Sequence, residues 1–120
     1  MTTTEYLTHD QGGPPVDLPA AARRIATALA DHFDPATAVS QQVMALAEEA
    51  GEFVGAYRRA AGLARRPGAW SDVAAELADV VITAHVAAVY LGIDLDTAVA
   101  EKLAVVFSRG WRTVGAGEPA

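Results

Sequence analysis

The sequence contains no cysteine. That single absence removes disulfides, thiolate zinc sites and thiol nucleophiles together, so any metal must be held by oxygen or imidazole. Basic residues are also few: nine Lys and Arg stand against 15 Asp and Glu, a formal net charge of -6 with a pI near 4.8. Such a surface is poorly matched to a phosphate backbone, and no nucleic-acid polymer is expected as a partner. No P-loop and no GxGxxG occur, and no segment alternates as a strand would. The most apolar stretch, Val80 to Ile93, covers 14 residues and includes His85, short of the roughly 20 that span a bilayer. The opening MTTTEYLTHDQGGPP has neither a basic n-region nor an apolar h-region. No membrane partner is expected, and the cytoplasm is the expected location.

What is present is a chain of 120 residues, 52% hydrophobic and 20% charged, enough for one core and too short for two. Residues 1–17, rich in Thr, Gly and Pro, read as a flexible arm, and 114–120 as a flexible tail. The single domain is expected over 18–113. Within it Leu18, Ala22, Ile25, Leu29 and Phe33 recur at helical spacing, predicting a first helix that ends near Phe33. Asp34 as cap and Pro35 at the first position open a second helix, with the stripe Val39, Val43, Leu46, Ala50, Phe53 and Tyr57. Ser71 or Asp72 caps a third, running to Gly92, and Asp94 or Asp96 caps a fourth, running to about Trp111. Four helices with short connections predict an all-α, antiparallel four-helix bundle.

Against this pattern the acids stand out. Glu48, Glu49 and Glu52 sit in the run EEAGE of the second helix, and Glu49 and Glu52, three apart, share a face. On the third helix Glu76 and Asp79 repeat that spacing, and between Val73 and Ile93 only His85 and Tyr90 also titrate. EEAGE by itself reads better as a solvated face. Two carboxylate pairs on adjoining helices read better as one site, because charge placed beside Val, Ile and Ala is costly unless a hard cation coordinates it. Mg²⁺, or Mn²⁺ in its place, is the expected cofactor. A ferritin-like di-iron centre needs Glu-x-x-His, and no His lies three residues after a Glu.

These motifs, in this order, resemble the all-α nucleoside triphosphate pyrophosphohydrolases of the MazG-like and dCTP-pyrophosphatase-like type. The resemblance spans about Val39 to Trp111 and rests on MALAEEAGEF, AELADVVI and LGIDLDTAVAEKL. It implies Mg²⁺-dependent hydrolysis of nucleoside triphosphates to a monophosphate and pyrophosphate, as housecleaning of the nucleotide pool. It further implies that Glu49, Glu52, Glu76 and Asp79 hold the metal, and that Glu48 orients or deprotonates the attacking water. Lys102 matches the family's basic residue; with Arg109, seven residues on, it is expected to meet the phosphates. The Asn that many relatives carry one turn after the Lys is Val106 here, with Ser108 as the nearby polar substitute. Relatives of this size are often dimers or tetramers, so the resemblance implies a homodimer or homotetramer that completes the bundle.

Gln42, two turns before Glu49, and Trp70, at the head of the third helix, are further candidates for substrate contact; Gln42 reads equally as a surface or interface residue, and Trp70 reads better as a packing staple at the helix end. His85 reads as a core or interface residue. Arg58, Arg59, Arg65 and Arg66 bracket the loop after the second helix and read as a solvated loop, with steering of triphosphates as the alternative. Two alternatives remain open: a non-catalytic helical module that binds a nucleotide or a protein, and phosphoribosyl-ATP pyrophosphohydrolysis.

Overall fold

The computed structural model describes residues 15–109, and these form four α-helices: α1 (Leu18–Leu29), α2 (Ala38–Ala60), α3 (Trp70–Leu91) and α4 (Leu95–Ser108). The described residues contain no strand, so the chain is all-α. Trp111, residues 1–14 of the expected arm and the tail at 114–120 lie outside the described residues.

Local chemistry sets most of the helix ends. Asp17 accepts the Ala20 N–H at 3.0 Å and Pro19 lies in the first turn, which starts α1. This helix stops at Leu29, four residues before the predicted end. Beyond it the chain turns more tightly, with the His32 N–H donating to the Leu29 carbonyl at 2.9 Å. Past this turn the Asp34–Pro35 pair keeps the chain from resuming the helix, because a residue before proline is disfavoured in the helical region. Asp34 does cap, as its spacing suggests, but it caps a turn: its carboxylate accepts from the Ala36 N–H at 3.0 Å, and regular α2 begins only at Ala38.

Both long helices close on a left-handed glycine. Gly62 (φ 76°) follows α2 and Gly92 (φ 66°) follows α3. In each case the next amide reaches back to the last turn, Leu63 to the Arg58 carbonyl at 2.8 Å and Ile93 to the Ala88 carbonyl at 2.9 Å. The start of α3 differs from the reading that put Ser71 or Asp72 at the cap. The helix begins at Trp70 without a side-chain cap, and the Trp70 ring meets Tyr57 of α2 edge-on, centroids 6.1 Å apart. Asp94 caps α4, accepting the Thr97 N–H at 3.1 Å.

The hub is α3, which packs on α2 and on α1. Tyr57 against Trp70, and Glu49 against both Glu76 and Asp79, are pairs whose numbers rise on one helix as they fall on the other; α2 and α3 therefore run antiparallel. Small residues make the close approach possible: among the described residues, Ala22, Ala38, Ala56, Val86, Ala87 and Ala88 are the buried hydrophobic ones. Among the described residues no large side chain is fully enclosed, and Met44, Val54, Leu103 and Phe107 are exposed. The fourth helix scarcely touches the other three, although its sequence is apolar on most sides.

The third helix has 22 residues and, by length and composition alone, is long and apolar enough to cross a membrane. The shortness of Val80 to Ile93 is thus no argument against a span, because the helix continues through Trp70. In this fold the helix serves as the packing hub and carries Asp72, Glu76 and Asp79.

Candidate metal centre

The antiparallel register of α2 and α3 brings the two acidic motifs together. Glu49, Glu76 and Asp79 each offer a carboxylate oxygen, and these oxygens lie within 4.8 Å of one another. Glu49 and Glu76 are half-buried and Asp79 is exposed, so the cluster lies along the seam of the two helices with one side open to solvent. One oxygen of Glu49 and one of Glu76, both Oε2, are shielded from solvent and have no hydrogen-bond partner. A buried carboxylate oxygen without a donor is costly, and a cation with oxygen-seeking coordination would relieve that cost.

The electrostatics agree with the geometry. Burial pushes the Glu49 carboxyl above its ordinary value, and the charges of Glu52, Asp79 and Glu76 push it further. Glu76 is raised by the same causes, burial first, then Glu52 and Asp79, with Asp72 adding to them and the Arg59 guanidinium opposing them. Glu52 therefore belongs to the field of the cluster, although its oxygens are outside the group of three that converge.

The remaining sequence candidates are distributed unevenly. Glu48 is exposed and immediately precedes Glu49 on α2. Gln42 is buried, the one buried polar residue among those described, which removes its reading as a surface residue. Trp70 is half-buried and engaged by Tyr57. Lys102 and Arg109 are exposed on and just after α4, the helix that packs least, and the chain's own fold does not carry that helix onto the α2–α3 seam. Ser108 is turned to its own helix, its hydroxyl donating to the Val105 carbonyl at 2.8 Å. His85 lines a separate cavity of about 520 Å³, with Arg23, Val89, Ile93 and Asp94 among the other walls; none of the clustered acids lines it.

Arg59 is exposed, as the solvated-loop reading expects, but sequence reasoning does not single it out from its neighbours, and its charge acts on Glu76. The signal was available: Arg59 lies seven residues after Glu52, two turns along the same helix face. Its neighbour Arg58 is used differently, donating from Nη2 to the Leu63 carbonyl at 3.3 Å and so closing the end of α2.

No family model, no curated protein and no solved structure matches this chain.

Proposed function

We propose that the protein is a metal-dependent nucleoside triphosphate pyrophosphohydrolase of the MazG-like type, releasing a nucleoside monophosphate and pyrophosphate. The observation that carries this reading is the convergence of Glu49, Glu76 and Asp79 across the α2–α3 seam with two shielded, unpartnered carboxylate oxygens. The donor set is all oxygen and anionic, which fits Mg²⁺ or Mn²⁺. Glu49, Glu76 and Asp79, with Glu52 beside them, would hold the ion. When bound, it supplies charge neutralisation and polarisation at the phosphate oxygens.

The chain's own residues account for the rest. Glu48, exposed next to the cluster, orients the attacking water and accepts its proton as oxygen bonds to the α-phosphorus and pyrophosphate leaves. Carboxylates alone repel a triphosphate, so cationic side chains must face the phosphates. Lys102 and Arg109 take this part in the reading, and the apolar surface of α4 supports a homodimer or homotetramer in which that helix is packed against a second copy. Housecleaning of the nucleotide pool is the proposed role, in the cytoplasm.

The apartness of α4, together with Val106 at the position of the usual Asn, favours a second reading, a helical binding module without turnover. Pyrophosphate release from a panel of canonical and modified nucleoside triphosphates, and from phosphoribosyl-ATP, separates these readings when run with Mg²⁺, with Mn²⁺ and with excess chelator. Metal-dependent release with a monophosphate co-product supports the enzyme, and the preferred substrate identifies its branch. A folded protein that binds nucleotide and releases nothing supports the module.

A further inference from the structure

Arg59 ends α2 in a setting unlike that of the other arginines nearby. Its guanidinium folds back along the helix over Gly55: a Cβ built at Gly55 would stand 3.3 Å from Arg59 Nη1. Glycine inside a helix is less favourable than alanine, and here the missing side chain leaves the space that the guanidinium occupies. The stem is braced from the other side. The Gly68 N–H donates to the Arg59 carbonyl at 3.2 Å, and a Cβ at Gly68 would come within 2.8 Å of Arg59 Cβ, so the loop before α3 lies directly against the residue. The direction of the fold is toward Glu52, one turn before Gly55 and part of the acidic cluster's field. Arg58 points its fork elsewhere, into the loop carbonyl of Leu63, while Arg59 remains exposed.

We propose that Arg59, seated in the Gly55 notch, is a substrate-binding residue that takes the phosphate chain of the nucleotide beside the carboxylate cluster. This inference rests on the function proposed above and adds a cation from α2, one of the two helices that carry the acids, independent of α4. The chemistry is specific. A guanidinium offers paired N–H donors at the spacing of two phosphate oxygens, which a lysine ammonium does not reproduce. The notch limits the directions the fork can take, so less freedom is lost when a phosphate is gripped.

The test is calorimetric binding of two probes, Mn²⁺ alone and inorganic tripolyphosphate in the presence of Mn²⁺, to wild type, Arg59→Ala, Arg59→Lys and Arg58→Ala, with steady-state turnover measured alongside. For Arg59→Ala the two probes are expected to move in opposite directions. Tripolyphosphate weakens roughly tenfold or more through loss of charge-assisted hydrogen bonds, and KM rises correspondingly, whereas Mn²⁺ binds as well or more tightly because a positive charge has left the cluster. Arg59→Lys recovers only part of the phosphate affinity, and Arg58→Ala keeps it. If Arg59→Ala binds tripolyphosphate as the wild type does, or loses both probes together, the inference is overturned while the enzymatic reading stands on the wild type's own turnover. A wild type that binds no Mn²⁺ overturns both.

Discussion

Glu49 of α2 and Glu76 of α3 lie 27 positions apart in the sequence and bring carboxylate oxygens within 4.8 Å of each other, each with its Oε2 shielded and without a hydrogen-bond partner. Two like charges held this way oppose folding of the metal-free protein, and this opposition is the source of several measurable consequences.

The first concerns the ion. A ligand that binds only the folded state stabilises it by RT ln(1 + [L]/Kd), about 2.7 kcal/mol at a hundredfold excess over Kd. Millimolar Mg²⁺ or Mn²⁺ is expected to raise the melting temperature by several degrees, on the order of 10 °C for a chain of this size, and chelator should reverse it. Differential scanning fluorimetry of wild type and Glu76→Gln checks this: the variant should lose the response.

Turnover should follow the ligands. Asp79→Ala and Glu52→Ala are expected to lower kcat by a thousandfold or more while retaining helical circular dichroism, and in chelator both should melt no lower than the wild type, because repulsion is relieved. Wild-type activity in either would remove that residue from the site.

The pH dependence has a definite sign. Glu49 and Glu76 are raised above 4.5 in the folded state, by burial first. Between 4.5 and their raised values the folded protein holds protons that the unfolded chain has released, so stability falls as pH rises through that window. In chelator, the melting temperature should therefore climb on mild acidification from neutral pH, and Glu49→Gln with Glu76→Gln should flatten the climb. Asp94 acts oppositely. Its hydrogen bond to the Thr97 amide holds it below 3.8, so its contribution is present above that value and disappears as pH falls through the lowered one. In chelator, stability should peak on the mildly acidic side and then decline as Asp94 is protonated.

Gly92 offers a structural control. Its φ of 66° suits glycine, and nothing lies within 4 Å of the Cβ that alanine would add, so the cost of Gly92→Ala is conformational strain alone. About 1 kcal/mol of destabilisation is expected in urea melts, with metal binding unchanged.

The exposed face of α4 makes a prediction about assembly. A 14-residue helix with apolar residues on most sides is marginal in isolation, and Phe107 is 65% exposed in the single chain. Sedimentation should find an oligomer, and Phe107→Asp together with Leu103→Asp should dissociate it or unfold α4.

The helical class and the four helices were legible because both depend on neighbours along the chain. The stripes at spacings of three and four, Asp94 before α4 and the left-handed Gly92 after α3 are local chemistry, and local chemistry is written in order. The boundaries near Asp34–Pro35 were misplaced because two local signals compete there, a capping carboxylate and a proline that unwinds the residue before it. The candidate acids were found from their pairing along each helix. That Glu49, Glu76 and Asp79 converge while Glu52 stands beside them depends on the register between α2 and α3, the same register that sets Tyr57 against Trp70. Tertiary structure alone likewise buried Gln42, turned Trp70 against Tyr57, left α4 apart and folded Arg59 into the space over Gly55. Sequence thus determined which residues could act, since periodicity and side-chain chemistry are properties of the chain; only packing determined which of them meet, since that depends on how closely two helices approach and on which faces they share.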